Sequence, residues 1–204
     1  MGFYERVVLP RLLNAVMQNK ELMRQRRKLI PEAEGRVLEI GIGSGLNLPF
    51  YGPGVSEVIG VDPSMELQAY ARERAKDRPF PVDFIGLSGE QIPLEAGSVD
   101  MAVSTWTMCT IPDAVRALGE VRRVLKPGGR LLFVEHGKAP DEGVARWQDR
   151  LDRPWGAIAG GCHLNRRIDE IVAKAGFRVD RMETRYLRGP RAMTFTYMGS
   201  AVSA

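Results

Sequence analysis

Between residues 36 and 135 the apolar positions fall into short blocks separated by polar or glycine-rich breaks. "RVLEI" (36–40), "EVIGV" (57–61), "VDFIG" (82–86), "DMAVS" (100–104) and "RLLFVE" (130–135) each read as a buried strand. Helical spacing replaces this texture in "MELQAYARERA" (65–75) and in "DAVRALGEVRRVL" (113–125), which stops at "KPGG". Strands alternating with helices predict a doubly wound α/β domain whose mostly parallel sheet is covered on both faces. The end of the chain differs. "FRVDRMETRYL" (177–187) and "AMTFTYMGSAV" (192–202) are strand-like runs joined through "RGP", which predicts an antiparallel hairpin closing the sheet. Before it, "RRIDEIVAKAG" (166–176) reads as a helix with Asn165 as its N-cap and Gly176 as its stop. Residues 3–30 also read as helical, with Val7, Val8, Leu12, Leu13, Val16 and Met17 near one face and Pro10 dividing the stretch in two.

Charge sets that first segment apart. Residues 1–30 hold seven basic and two acidic side chains, whereas the remaining 174 residues carry 22 basic and 23 acidic ones. The net charge of +4 therefore belongs to the N-terminal segment, which argues against a broad nucleic-acid face. A length of 204 residues suits one domain, here 31–204, preceded by a 1–30 helical lid segment. The two cysteines form no CxxC pair, so a reducing, cytoplasmic setting is the expectation. No signal-peptide pattern opens the chain, and no apolar run is long enough to span a bilayer.

"LEIGIGSG" (38–45) places Gly41, Gly43 and Gly45 directly after a buried strand, where glycine permits a tight turn and close approach of a ligand to the backbone. The spacing is GxGxG, because position 46 is Leu where a dinucleotide fingerprint has its third glycine. "GVDPS" then puts Asp62 at the end of the second strand, where a carboxylate can take both hydroxyls of a ribose.

"VLEIGIGSG", "VIGVDPS", "SGEQIPLEAGSVD" and "VRRVLKPGGRLLFVE", in this order, resemble the successive motifs of class I methyltransferases that use S-adenosyl-L-methionine. The resemblance implies a Rossmann-like seven-stranded sheet with an antiparallel C-terminal strand. It also implies that Glu39, Gly41, Gly43 and Gly45 line the methionine end of the cofactor, that Asp62 holds the ribose and that Pro63 lies by the adenine. Ser88, Gly89 and Glu90 occupy the segment that reaches the adenine edge, with Ser88-Gly89 standing where the family often has Asp-Ala. Thr105, just past the strand 100–104, joins the cofactor set.

Ligands of an open parallel sheet sit beyond the carboxyl ends of its strands. Cys109, His136, Cys162 and His163, which are all the cysteines and histidines of the chain, should gather there. No metal is expected, since adjacent residues rarely aim at one ion and no CxxC, HxxxH or HExxH spacing is present, although the four could still converge from separate loops. A covalent cysteine is also not expected, because methyl transfer from a sulfonium is a direct displacement. A thiol, amine or phenol acceptor must instead lose a proton, for which His136 is the first candidate base and His163 the second. The bland alternatives are a buried apolar Cys109 and a "GCHLN" turn whose His163 merely bonds to backbone. "GKAPDEGVARWQDRLDRPWGAIAG" (137–160) is too long for a simple crossover and reads as a partly helical cover or as core.

A narrower resemblance overlays the first. "MCTIPD", "FVEHGKAPD", "RWQDRL" with a following "PW", and "GGCHLNR" are similar to methyltransferase-like proteins that methylate alkyl thiols, and to their bacterial relatives. It implies S-methylation of a small, fairly apolar acceptor. An amine or phospholipid headgroup, reached through peripheral membrane contact of the basic stretch 3–30, is the alternative acceptor class; a non-catalytic cofactor-binding protein is the alternative from outside enzymology.

Overall fold

The computed structural model describes residues 3–203, so Met1, Gly2 and Ala204 of the expected segments lie outside the described residues. After a π-helical turn at Tyr4–Val8 come α1 (Leu9–Val16) and α2 (Lys20–Leu29). The domain follows as β1 (Gly35–Ile40), β2 (Val55–Val61), α3 (Met65–Ala75), β3 (Val82–Ile85), β4 (Val99–Thr105), α4 (Ala114–Val124) and β5 (Leu125–His136). It ends with α5 (Glu142–Ile158), α6 (Ile168–Lys174), β6 (Phe177–Tyr186), α7 (Arg191–Thr194) and β7 (Phe195–Ser203). The sheet order is β3-β2-β1-β4-β5-β7-β6; β7 runs antiparallel to β5 and β6, and the other pairings are parallel. The expected α/β fold, seven strands with an antiparallel C-terminal strand, is what forms.

Strand periodicity divides the core. Leu38, Ile40, Ala102, Leu131 and Phe133 point to the face covered by α4 and α6. Val37, Met101, Val103, Leu132 and Val134 point to the other, where Leu29 and Ile30 at the end of α2 join them. Both layers are fully dry, which explains why the central strands read as nearly continuous apolar runs.

Two local expectations are corrected. Pro10 does not divide the N-terminal helices: it lies in the first turn of α1, where a missing N–H costs nothing. The break is at Asn19, whose side chain accepts from the backbone N–H groups of Glu21 and Leu22 and so starts α2. Asn165 is not a cap either. Its amide reaches Asp149 at 2.9 Å, and α6 begins after Arg167 without a side-chain cap. In α5, Trp147 and Ile158 are exposed while Gln148 is buried, so this helix covers a surface and is not a core element.

Candidate active site

The turn after β1 carries three glycines in left-handed conformation. A Cβ at Gly41 would lie 2.1 Å from Thr107 Oγ1, so this glycine is demanded by the loop that crosses it. Gly43, at φ +52°, is different: nothing stands nearer to its Cβ position than 3.8 Å, which leaves an open cradle on the ligand side. The Gly43 N–H donates to Asp62 Oδ2 at 2.9 Å and the Ser64 N–H to Asp62 Oδ1 at 2.8 Å. Burial holds the Asp62 carboxyl above its usual range, against these two donors. Each carboxylate oxygen keeps a lone pair for a hydroxyl donor.

Beside the cradle lies a buried polar network. Tyr51 donates to Glu39 Oε2 at 2.6 Å and the Asn47 amide to Glu39 Oε1 at 2.8 Å. Arg26, reaching in from α2, donates through Nη1 to Asn47 Oδ1 at 2.6 Å and to Thr105 Oγ1 at 2.8 Å. Its guanidinium also stacks 4.8 Å from the centre of the Trp106 ring. Burial pushes Glu39 up to about 7, opposed by the Tyr51 hydroxyl and the Arg26 charge, and pulls Arg26 down to about 10. Arg26 Nε is buried without a partner. An unspent donor next to a carboxylate and an open glycine cradle fits an amino acid zwitterion, the form of a methionine end. Arg26, Asn47 and Tyr51 were not singled out from sequence: Arg26 is one of seven basic residues in an amphipathic stretch, and only the fold carries it 21 residues along the chain to Asn47.

The remaining cofactor candidates stand differently. Thr105 is buried inside the same network, and Pro63 is exposed at the start of the loop into α3. Ser88 and Glu90 bond to each other, and Glu90 Oε1 also accepts the Asp113 N–H at 2.7 Å, tying the β3–β4 connection to the start of α4. Gly89 is buried against Ile111 and Ala117.

Trp106 ends β4 at φ +52°, a strained conformation for so bulky a residue. The turn aims the Thr107 and Met108 N–H groups at the Glu135 carboxylate, which also accepts from Ser104 Oγ at 2.7 Å. Burial pushes Glu135 up to about 8 against those donors. The loop so clamped delivers Cys109, which meets Cys162 with 3.6 Å between sulfurs; Cys162 Sγ lies 3.5 Å from His136 Nε2. Cys162 donates to Cys109 and holds that thiol well below its usual range, while the same bond, with burial, raises Cys162. Burial would lower His136, but the Cys109 charge and hydrogen bond, the His163 carbonyl and the Glu135 charge together outweigh it and bring the imidazole up to about 9.

The two histidines are thereby separated in kind. His136 Nε2 lies 2.9 Å from the His163 carbonyl, an acceptor only, so Nε2 carries the proton. His163 is the histidine oriented by a carboxylate, with Nδ1 2.9 Å from Asp152 Oδ2. Asp152 Oδ1 accepts the next backbone N–H, from Leu164, and the His163 N–H donates to the Cys109 carbonyl at 2.8 Å. Asp152 was missed in the sequence because its partner is eleven residues away across the end of α5.

A seven-stranded sheet with one antiparallel strand, a GxGxG cradle and a strand-end aspartate is the architecture of a class I methyltransferase. Comparison with known proteins agrees. Residues 38–133 match a family described as "Methyltransferase domain". The chain is 37% identical over 154 residues to rat thiol S-methyltransferase TMT1B, covering 74% of this chain and 63% of the relative. It is 30% identical to human thiol S-methyltransferase TMT1A, covering 86% and 75%. It is 32% identical to phosphatidylethanolamine N-methyltransferase of Cereibacter sphaeroides, covering 68% of each. Among solved structures, a methyltransferase of Thermotoga maritima superposes with a TM-score of 0.68 at 21% identity, covering 98% and 99%. Geranyl diphosphate C-methyltransferase of Streptomyces coelicolor, solved with S-adenosyl-L-homocysteine, gives 0.68 at 17% identity, covering 89% and 79%. The chain belongs to the class I S-adenosyl-L-methionine-dependent methyltransferases, and S-adenosyl-L-methionine is its cofactor.

Proposed function

We propose that this methyltransferase acts on a small, fairly apolar acceptor, and that the acceptor is a thiol. The observation that carries this is the convergence of Cys109, His136, Cys162 and the His163–Asp152 pair beyond the carboxyl ends of β4 and β5, beside the glycine cradle. The thiol S-methyltransferases among its relatives support the acceptor class.

When bound, the cofactor supplies a sulfonium methyl group that a nucleophile takes by direct displacement. Glu39, Gly41, Gly43 and Arg26 receive its amino acid end, and Asp62 its ribose. Pro63, Ser88, Gly89 and Glu90 border the adenine side, while Thr105 steadies Arg26. The leaving thioether is neutral, so the protein's task is to position and desolvate the reactants and to take one proton. His163, held by Asp152, is the base for the acceptor proton; the carboxylate fixes the ring orientation. His136, committed to the sulfurs and the His163 carbonyl, shapes the pocket. The helices of residues 3–30 and α5 cover it, with Tyr4 donating to the Ile158 carbonyl at 2.6 Å where the two covers meet.

The test is formation of S-adenosyl-L-homocysteine by purified protein with cofactor and a short alkyl thiol, against a control without thiol. Thiol-dependent product is expected. No product from protein that binds the cofactor would sink the thiol reading.

A second reading, methylation of an amine on a lipid headgroup, is favoured by one observation. Val8, Leu12 and Val16 stay exposed at four-residue intervals, with Arg11 exposed beside them. The relative from Cereibacter sphaeroides supports this class. No described helix is long and apolar enough to cross a membrane, so contact through this stretch would be peripheral.

A further inference from the structure

We propose that Cys109, His136 and Cys162 form a three-ligand site for a zinc-type divalent cation, whose open fourth position receives the acceptor sulfur as thiolate. The metal site stands on its own geometry; the fourth-ligand role rests on the thiol reading above.

Two of the three ligand distances match those of a tetrahedral zinc centre. Zinc–sulfur bonds of about 2.3 Å and zinc–nitrogen bonds of about 2.0 Å at tetrahedral angles set the ligand atoms about 3.8 Å apart for S···S and about 3.5 Å for S···N. Here Cys109 and Cys162 are separated by 3.6 Å, and Cys162 and His136 Nε2 by 3.5 Å. All three ligand atoms lie within 4.8 Å of one another. Two thiolates and a neutral imidazole around a divalent cation sum to zero charge, the condition under which such a centre tolerates burial. As whole residues Cys109 is buried and His136 and Cys162 are half-buried, while the three ligand groups that face one another are buried.

Each ligand is also held in place. Cys109 follows two backbone N–H groups fixed by Glu135, and its carbonyl is tied to the His163 N–H. Arg166 donates to the Met108 and Ile111 carbonyls on either side of it, the latter at 2.6 Å. Asp152 anchors the loop of Cys162 from beyond His163. Ligands carried on three separate, cross-braced segments are pre-organised for a metal and invisible to any local spacing rule.

Loading is balanced as follows. Protons still held by the cysteine thiols and the proton on His136 Nε2 are released to solvent, and the Nε2 bond to the His163 carbonyl is exchanged for a nitrogen–metal bond while Nδ1 keeps its own proton. The acceptor thiol then loses its proton on binding the cation, and His163 accepts it.

The experiment uses the full chain, reduced and stripped of metal with a chelator, then titrated with cobalt(II) and separately with zinc(II) against a chromogenic chelator. Uptake of one equivalent is expected, with an intense thiolate-to-cobalt charge-transfer band in the near ultraviolet and strong tetrahedral ligand-field bands. Cys162→Ser and Cys109→Ala should each weaken zinc affinity at least 100-fold and reduce the charge-transfer band, while circular dichroism and cofactor binding persist. No band in folded protein with both thiols titratable overturns the site, and so does a band that both variants leave unchanged. Adding a short alkyl thiol to the cobalt protein should strengthen the charge-transfer band. An unchanged spectrum overturns the fourth-ligand role even if turnover on that thiol is found. Absence of turnover with the metal site intact sinks only the thiol reading.

Discussion

Arg26 Nη1 donates to Asn47 Oδ1 at 2.6 Å, and through this bond the basic N-terminal segment becomes part of the buried polar network beside the glycine turn. The bond is buried, and Asn47 passes it on to Glu39.

Removing Arg26 therefore does more than shorten a surface helix. Arg26→Ala leaves the buried Asn47 Oδ1 without its donor, at about 1–3 kcal/mol, while Thr105 Oγ1 keeps the Asn47 amide at 3.1 Å. Arg26→Lys should not rescue it, since a point charge cannot reproduce the planar fork. Thermal unfolding and cofactor titration of both variants check this; cofactor affinity equal to wild type in Arg26→Ala would remove the guanidinium from the pocket.

Asp62 is the second prediction. Charge-assisted bonds to two ribose hydroxyls contribute about 1.5–3 kcal/mol each, so Asp62→Ala should weaken cofactor binding by at least tenfold per bond. Calorimetry reads this directly. Normal binding would rule out the ribose role.

The pH dependence follows from Glu39. Its folded value of about 7 lies above the ordinary 4.5, so the unfolded chain ionises first and the folded state is penalised as pH rises. The favourable contribution is complete below about 4.5, declines through the interval and is gone above about 7, an amplitude of about 3 kcal/mol. Glu39→Gln should flatten that part of the stability profile relative to wild type. A cationic amino group bound beside Glu39 favours the ionised form, so cofactor affinity should rise with pH up to about 7 and then level. Parallel profiles in wild type and Glu39→Gln would contradict both statements.

For the base, His163→Ala should lower kcat by about 100-fold or more with cofactor affinity intact, and Asp152→Asn should lower it less. His136→Ala tests the earlier expectation that His136 is the base: turnover should fall in this variant too, but through loss of pocket shape and of the proposed metal ligand, so cobalt(II) uptake should fall with it. Unchanged turnover in His163→Ala would take the base role from it.

Liposome flotation separates the two acceptor classes. Little binding to anionic vesicles is expected if the thiol reading holds. Binding that Val8→Ser, Leu12→Ser and Val16→Ser together abolish would favour the lipid headgroup.

What sequence shows and hides here has a physical pattern. Strand periodicity, the glycine turn and Asp62 are local signals, and each lies where the pattern put it. The antiparallel pair at the end was readable for the same reason, but the strand expected from residue 192 begins at Phe195, because Arg191–Thr194 form the short helix α7 within the link. Arg26–Asn47 and His163–Asp152 were not readable. Each joins residues on different elements, where no spacing rule applies. The gathering of Cys109, His136 and Cys162 was readable from the strand ends, and only their distances needed the fold. The division expected at Pro10 and found at Asn19 failed for a different reason: proline breaks a helix only past its first turn.

The capped break at Asn19 gives the N-terminal segment two halves with unequal moorings. Lifting the stretch before Asn19 gives up contacts such as the Tyr4 hydroxyl on the Ile158 carbonyl and Arg74 on Asn14 at 3.1 Å. Lifting α2 would break the bonds of Arg26 to Asn47 and Thr105 and expose Leu29. One short segment thus carries a shallow outer anchor and a deep inner one.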